Sequence, residues 1–264
     1  MYALTFDNTG ALFAGGAFTN AGGNVNADYI VKWTGSAWQN LRTGLNNAVY
    51  ALRFESQGNL YAGGVFTSTN ENAGVFNRIA KWNTVDWSAV GNGMDGAVYT
   101  MAQAPNGNLL LGGTFLQAGS NSLVRRITQW NGCTWDLLGS DTQSQCAPID
   151  GTNGYVYASA IYGANDLFVG GDCNAAGYCG VDCDNIAHWN GNAWSGLGTG
   201  LNNTVWAIVT DSSGNVYAGG LFTDAGGNQN ADRIAKWNPT TQTWSALGTG
   251  LNNVVQALGI DSNG

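Results

Sequence analysis

Basic side chains are scarce in this chain. Its 264 residues hold 9 Lys and Arg against 17 Asp and Glu, for a net charge of −8. Nucleic-acid binding rests on clustered cations that displace counterions from phosphate, so no nucleic-acid partner is expected, and an anionic membrane surface is disfavoured for the same reason. Charge of either sign is thin at 10%, against about 25% in an average soluble domain. No apolar run approaches the roughly 18–20 residues of a membrane-spanning helix, so no membrane span is expected. Proline occurs three times and histidine once. No segment carries a sustained helical period. No secretory leader is legible either. Met1 is followed directly by a strand-like run, Tyr2-Ala3-Leu4-Thr5-Phe6, as expected of a mature region or a fragment.

Glycine and aromatic residues are abundant, with 40 Gly, 11 Trp, 10 Tyr and 9 Phe. Disordered chains are poor in aromatics and rich in charge, so this composition points to a globular, β-rich protein. The glycines mark an internal repeat. Gly-Gly pairs fall at 15–16, 63–64, 112–113, 170–171 and 219–220. A Trp closes a short apolar segment at Trp33, Trp82, Trp130, Trp189 and Trp237, and a second follows at Trp38, Trp87, Trp135, Trp194 and Trp244. Ten of the eleven tryptophans thus occupy two repeat positions, which fixes a period near 48 residues.

Each repeat divides into four short strand-like runs, named A to D. In the fifth they centre on Val205-Trp206-Ala207, Val216-Tyr217-Ala218, Ile234-Ala235-Lys236-Trp237 and Thr243-Trp244-Ser245. Turn residues separate them, such as Asp211-Ser212-Ser213-Gly214 between A and B and Asn190-Gly191 between C and D. Four short antiparallel strands per 40–50 residues is the pattern of a propeller blade. The predicted fold is an all-β propeller of four-stranded antiparallel blades. Repeats lie near 2–48, 49–97, 98–154, 155–204 and 205–253, and a partial repeat at 254–264 supplies the first strand of a sixth. The whole of 1–264 reads as a single propeller domain, either cut from a longer array or ending in a strand with a special role. The paired Trp residues are expected to act as wedges between blades, and the Gly pairs to sit where backbones approach closely. Lys32, Lys81 and Lys236, each just before the strand-C Trp, are expected to pair with strand-end acids such as Asp7, Glu55 and Asp211. Arg78, Arg126 and Arg233 recur at a second fixed position.

The order Leu12-Phe13-Ala14-Gly15-Gly16, then Lys32-Trp33, then Trp38 resembles the kelch repeat, the unit of kelch propellers and of the galactose oxidase central domain. It departs from that pattern where Lys-Trp replaces the usual strand-C Tyr. The longer phrases at 234–238 and 244–252 are similar to repeats of secreted bacterial surface proteins and of the fungal cortical polarity marker family. These resemblances cover essentially the whole chain and imply fold far more than function. The copper site of galactose oxidase-like enzymes needs two His, and this chain has one, so that activity does not carry over.

With this strand order the D–A and B–C loops share one face, and the long loops lie there. Asn24, Asn26 and Asp28 in repeat one, and Asn228, Asn230 and Asp232 in repeat five, are candidate ligands for sugar hydroxyls, though such residues also cap their own loops. The fourth repeat, taken with the D–A loop around 140–154 that leads into it, carries about ten extra residues and four of the five cysteines. Cys146, Cys173, Cys179 and Cys183 are candidates for two disulfides, in any of three pairings, which implies an oxidising compartment. Cys133 stands apart in a C–D turn, either free or competing for Cys146. Asp172, Asp182 and Asp184 could hold calcium, while Cys173, Cys179, Cys183 and His188 supply zinc donor types at a spacing that matches no familiar finger. No catalytic residues stand out, and no cofactor other than calcium is expected. The expected function is a non-catalytic extracellular or cell-surface module for binding, adhesion or structural assembly. A protein or glycan partner would meet the long-loop face. A lectin-like propeller and a fibre subunit that self-associates through its C-terminal strand are the alternatives, with a glycan-active enzyme behind them.

Overall fold

The computed structural model describes residues 1–71, 74–138, 150–177 and 181–261. They build five four-stranded antiparallel sheets, each paired A-B-C-D from the inside outward. The A strands are Ala3–Phe6, Val49–Phe54, Val98–Gln103, Val156–Tyr162 and Val205–Thr210. The B strands are Leu12–Gly15, Leu60–Gly64, Leu109–Gly113, Asp166–Gly171 and Val216–Gly220. The C strands are Ile30–Trp33, Ile79–Trp82, Ile127–Trp130, Ile186–Trp189 and Ile234–Asn238. The D strands are Trp38–Asn40, Trp87–Ala89, Trp135–Asp136, Trp194–Gly196 and Thr243–Ala246. No α-helix occurs among the described residues; a three-residue 3₁₀ turn at Ala21–Gly23 is the one helical element there. Consecutive A strands pack on one another, so they line the propeller axis.

The two glycines of each pair do different work. A Cβ on Gly63 would lie 2.6 Å from Val98 Cγ1, and one on Gly15 would lie 2.7 Å from Val49 Cγ1, both on the A strand of the next blade. The first glycine is therefore the seat for the next blade's Val. A Cβ on the second glycine would collide with a carbonyl of its own blade, that of Ala48 for Gly64 and that of Thr204 for Gly220. The pinch has a consequence in the A strands. In blades 2 to 5 the A–B register slips opposite the Gly pair, leaving Tyr50, Tyr99, Tyr157 and Trp206 as the extra residues of β-bulges.

The strand-C and strand-D tryptophans pack at a tilt across each C–D hairpin with ring centroids 4.7–5.5 Å apart. They do bridge blades. Trp87 Nε1 donates to the Leu41 carbonyl at 3.3 Å, Trp194 Nε1 to Leu138 at 3.4 Å and Trp244 Nε1 to Leu197 at 2.9 Å, each on the preceding blade. The expected ion pairs also form, at 3.4 Å for Lys32–Asp7, 2.8 Å for Lys81–Glu55 and 3.9 Å for Lys236–Asp211. Arg78, Arg126 and Arg233 take left-handed backbone conformations just before strand C, with φ of 70°, 64° and 65°.

The partial sixth repeat differs from expectation. Val255 and Leu258 lie against Gly219, just as Val49 and Leu52 lie against Gly15. Yet residues 252–261 join no sheet, and the hydrogen bond from Val255 N to the Gly220 carbonyl is 3.3 Å. The segment occupies the place of a strand A without a strand B to pair with. At the other end, the face of blade 1 that corresponds to a blade interface is uncovered. Met1, Leu4 and Phe6 are 70%, 53% and 64% exposed, whereas the equivalent Val49 and Leu52 are 0% and 9% exposed.

Candidate functional site

The bulged residues assemble the most distinctive surface of the molecule. Tyr2, Tyr50, Tyr99, Tyr157 and Trp206 form an unbroken chain of ring contacts, with successive centroids 5.2, 5.0, 5.3 and 4.2 Å apart. Tyr50, Tyr99, Tyr157 and Trp206 are each the second residue of their A strand and Tyr2 stands just before that of blade 1, so the belt runs round the axis at the long-loop end. A bulge re-aims one side chain out of the strand's alternation. Here it does so at the same point in four consecutive blades, and the cause is the Gly-Gly pinch on strand B. Tyr155 extends the belt, edge-on to Tyr157 at 6.3 Å, with the Arg126 guanidinium 5.5 Å over its ring.

The hydroxyls of Tyr50, Tyr99 and Tyr157 stay neutral. Burial pushes the Tyr50 and Tyr99 phenols above their usual value, with neighbouring tyrosines adding to it. Tyr157 is pushed up to about 12 by burial first and then by the charge of Asp172. A neutral phenol keeps its proton as a donor and offers an apolar body, which suits recognition of a partner surface.

The loops above the belt are tied down by their own polar groups. Asn46 Oδ1 accepts the amides of Thr67 and Ser68, Asp95 Oδ1 those of Leu116 and Gln117, and Asn202 Oδ1 those of Thr223 and Asp224. With Asn153 Oδ1 accepting the amides of Asn174 and Ala175 in blade 4, one D–A side chain in each of blades 2 to 5 clamps the B–C loop of the same blade, and the belt sits in a preset frame.

No family model matches this chain and no curated protein matches it. Solved structures do share its fold. The U3-55K structure superposes over 98% of this chain and 69% of its own with a TM-score of 0.59 at 13% identity. A catalytically inactive virginiamycin B lyase from Staphylococcus aureus with quinupristin gives 0.54 over 93% of this chain and 69% of its own, also at 13% identity. YCF48 bound to a D1 peptide gives 0.53 at 12% identity, over 94% of this chain and 66% of its own. The chain is a β-propeller. Its neighbours include WD40 repeats, so the likeness belongs to the propeller architecture at large, and a kelch family is not singled out.

The propeller places the sequence candidates away from the belt. The B–C loops of blades 1 and 5 lie beside Trp38 and Trp244 of the outermost strands, at the rim. Asn24 Oδ1 accepts the Asn26 amide at 3.0 Å, and Asn228 Oδ1 accepts the Asn230 amide at 3.0 Å. Asp28 accepts from Asn20 N and Asn70 Nδ2. The Asp232 carbonyl accepts the Leu251 amide. Asn26 and Asn230 remain exposed.

Cys173 and Cys183 are disulfide-bonded, with Cα atoms 6.3 Å apart, which fixes one of the open pairings. Cys146 and Cys179 lie outside the described residues. Cys133 is a free, exposed thiol. The disulfide removes two donors of the zinc reading. His188 serves blade 4 instead, with Nε2 2.6 Å from Asp166 Oδ1 and its ring stacked on Phe168. Asp172 accepts the Tyr155 amide, while Asp182 is exposed in a short strand pair and Asp184 lies beside Gly200. Among the described residues no three His, Cys, Asp or Glu side chains converge.

The belt was the feature missed at the sequence level, although its signal is present. An aromatic recurs at the start of strand A in every full repeat, and Trp206 is the eleventh tryptophan, the one outside the two Trp positions.

Proposed function

We propose that this propeller is a non-catalytic binding module that engages a protein partner at its long-loop face, with the aromatic belt as the anchor. The reading is carried by one observation: five aromatic side chains in mutual contact at the mouth of the axis, four of them placed by β-bulges of identical position. Tyr and Trp dominate the energetics of protein interfaces because they present large area at low conformational cost. The Cys173–Cys183 disulfide supports an extracellular or cell-surface setting, where oxidation persists.

The test is selection of binding peptides on the immobilised chain, followed by comparison with Y157A/W206A. Binders that map to the belt should lose about tenfold or more in affinity, as for loss of interface anchors. Binders that map elsewhere, with the variant indistinguishable, would sink the proposal.

Self-assembly is the second reading, favoured by the uncovered Met1, Leu4 and Phe6 of blade 1 together with the segment at 252–261, which joins no sheet.

A further inference from the structure

On the face opposite the belt, four of the five blades share one device. An aromatic on strand B pairs across the ladder with a base on strand C: Phe13 with Lys32, Tyr61 with Lys81, Phe168 with His188 and Tyr217 with Lys236. The three lysine ammoniums lie 5.1–5.3 Å over the partner ring; each lysine meets the acid that follows strand A, and His188 meets Asp166 at the start of strand B. Blade 3 lacks every part of it. The same ladder position pairs Leu110 with Gln129, and Ala104 stands where Glu55 and Asp211 stand in blades 2 and 5. Three substitutions in concert turn a charged, ring-filled floor into a neutral and smaller one.

A cavity of about 400 Å³ opens over that floor, between blades 3 and 4. On its blade 3 side, Asn108 Nδ2 donates to Gln129 Oε1 at 3.1 Å, and Gln129 Nε2 donates to the Leu137 carbonyl at 3.3 Å. Asn165, Asp166 and Asn192 face them from blade 4. The corresponding groove between blades 2 and 3 keeps Glu55, Tyr61 and Lys81 in its lining.

We propose that the groove between blades 3 and 4 binds a neutral saccharide of one or two rings. Carboxamides both donate and accept, and a carboxylate accepts, so this lining matches vicinal hydroxyls that do both. Leu110 and Leu137 supply an apolar surface for the C–H face of a ring. No Lys, Arg or His is in the lining, and the chain is acidic, so an anionic sugar has no counter-charge. The volume falls within the roughly 300–1,000 Å³ of small-molecule sites. The site is independent of the belt and lies at the other end of the blades.

The experiment is titration of the whole ¹⁵N-labelled chain with methyl glycosides of neutral hexoses and N-acetylhexosamines, read on the Asn and Gln side-chain amides. At least one glycoside should shift a subset of them saturably. The variant A104E/L110Y/Q129K installs the residues of blade 2, a combination the repeat already accommodates. It should melt cooperatively and bind that glycoside at least about tenfold more weakly. N165A/N192A should also weaken binding with the floor left intact, and Y157A/W206A should not. Three results would each overturn the proposal: no saturable shift with any glycoside, unchanged binding in both groove variants, or tighter binding of an uncharged Asn-containing tripeptide in the same groove.

Discussion

Gly63 shows how one absent methyl group governs the assembly. An alanine there drives its Cβ into Val98 of the next blade. Overpacking of this kind costs about 1–3 kcal/mol, so G63A should lower the urea midpoint, with far-UV signal otherwise unchanged. At Gly64 the obstacle is the Ala48 carbonyl rather than a side chain, and backbone yields less readily, so G64A should cost more than G63A in the same assay. Asp7 sets a different expectation. Burial opposes its charge, but the Thr9 hydroxyl, the Ala11 and Thr9 amides and Lys32 together hold its pKa down to about 2, from an ordinary 3.8. A lowered carboxylate pKa stabilises the folded state above the unfolded value and loses that contribution as pH falls through the folded one. The part owed to Asp7, about 1 kcal/mol after allowance for solvent screening, should vanish between about pH 4 and pH 2. D7N should have a lower Tm than wild type at pH 6 and a flatter decline through that window.

At the scale of the element, the C–D hairpin with its two tryptophans is both a strand pair and a bolt to the preceding blade. Trp244 Nε1 donates to Leu197, while Trp135 Nε1 is buried with no partner among the described residues. Replacing each by Phe separates packing from hydrogen bonding. W244F should cost about 1 kcal/mol more than W135F, because only the former strands a buried acceptor that had a partner; equal midpoints in urea would contradict this. The B–C loop of blade 4 is closed by Cys173–Cys183 across 10 residues. C173S/C183S should lose roughly 2–3 kcal/mol of global stability or unfold this loop locally. Amide exchange at Ala175, Ala176 and Ile186 tells the two apart, and no change in either would argue against a stabilising role.

For the whole molecule, the uncovered side of blade 1 is the feature with the largest consequence. Leu4 occupies the position of Leu52 and Ile208, which blade interfaces bury, and Phe6 that of the half-buried Phe54 and Ile161, and contiguous exposed apolar surface marks contact with another surface. L4S/F6S should leave the melting temperature nearly unchanged and reduce any concentration-dependent association seen by sedimentation velocity. If wild type associates and the variant associates equally, the contact lies elsewhere. Much of the architecture was legible beforehand. The blade count, the Gly pairs, the Trp wedges and the Lys–acid pairs all recur at fixed spacing, and recurrence exposes a structural role without coordinates. The belt recurs too, but a Tyr flanked by Val and Ala reads as one more strand residue. Only the bulge reveals that its ring leaves the ladder.

The sequence by itself determined the repeat, its four strands and the propeller class, because glycines that seat a neighbour and tryptophans that bridge to one must return once per blade. Tertiary structure decided what spans blades. It joined five separate aromatic residues into one belt, drew the loop asparagines into their own turns at the rim, and set Gln129 opposite the carboxamides of blade 4. Those placements depend on how one blade's twist meets the next across some 50 residues of chain. Local propensity carries no information about that meeting, whereas close packing of sheet on sheet fixes it.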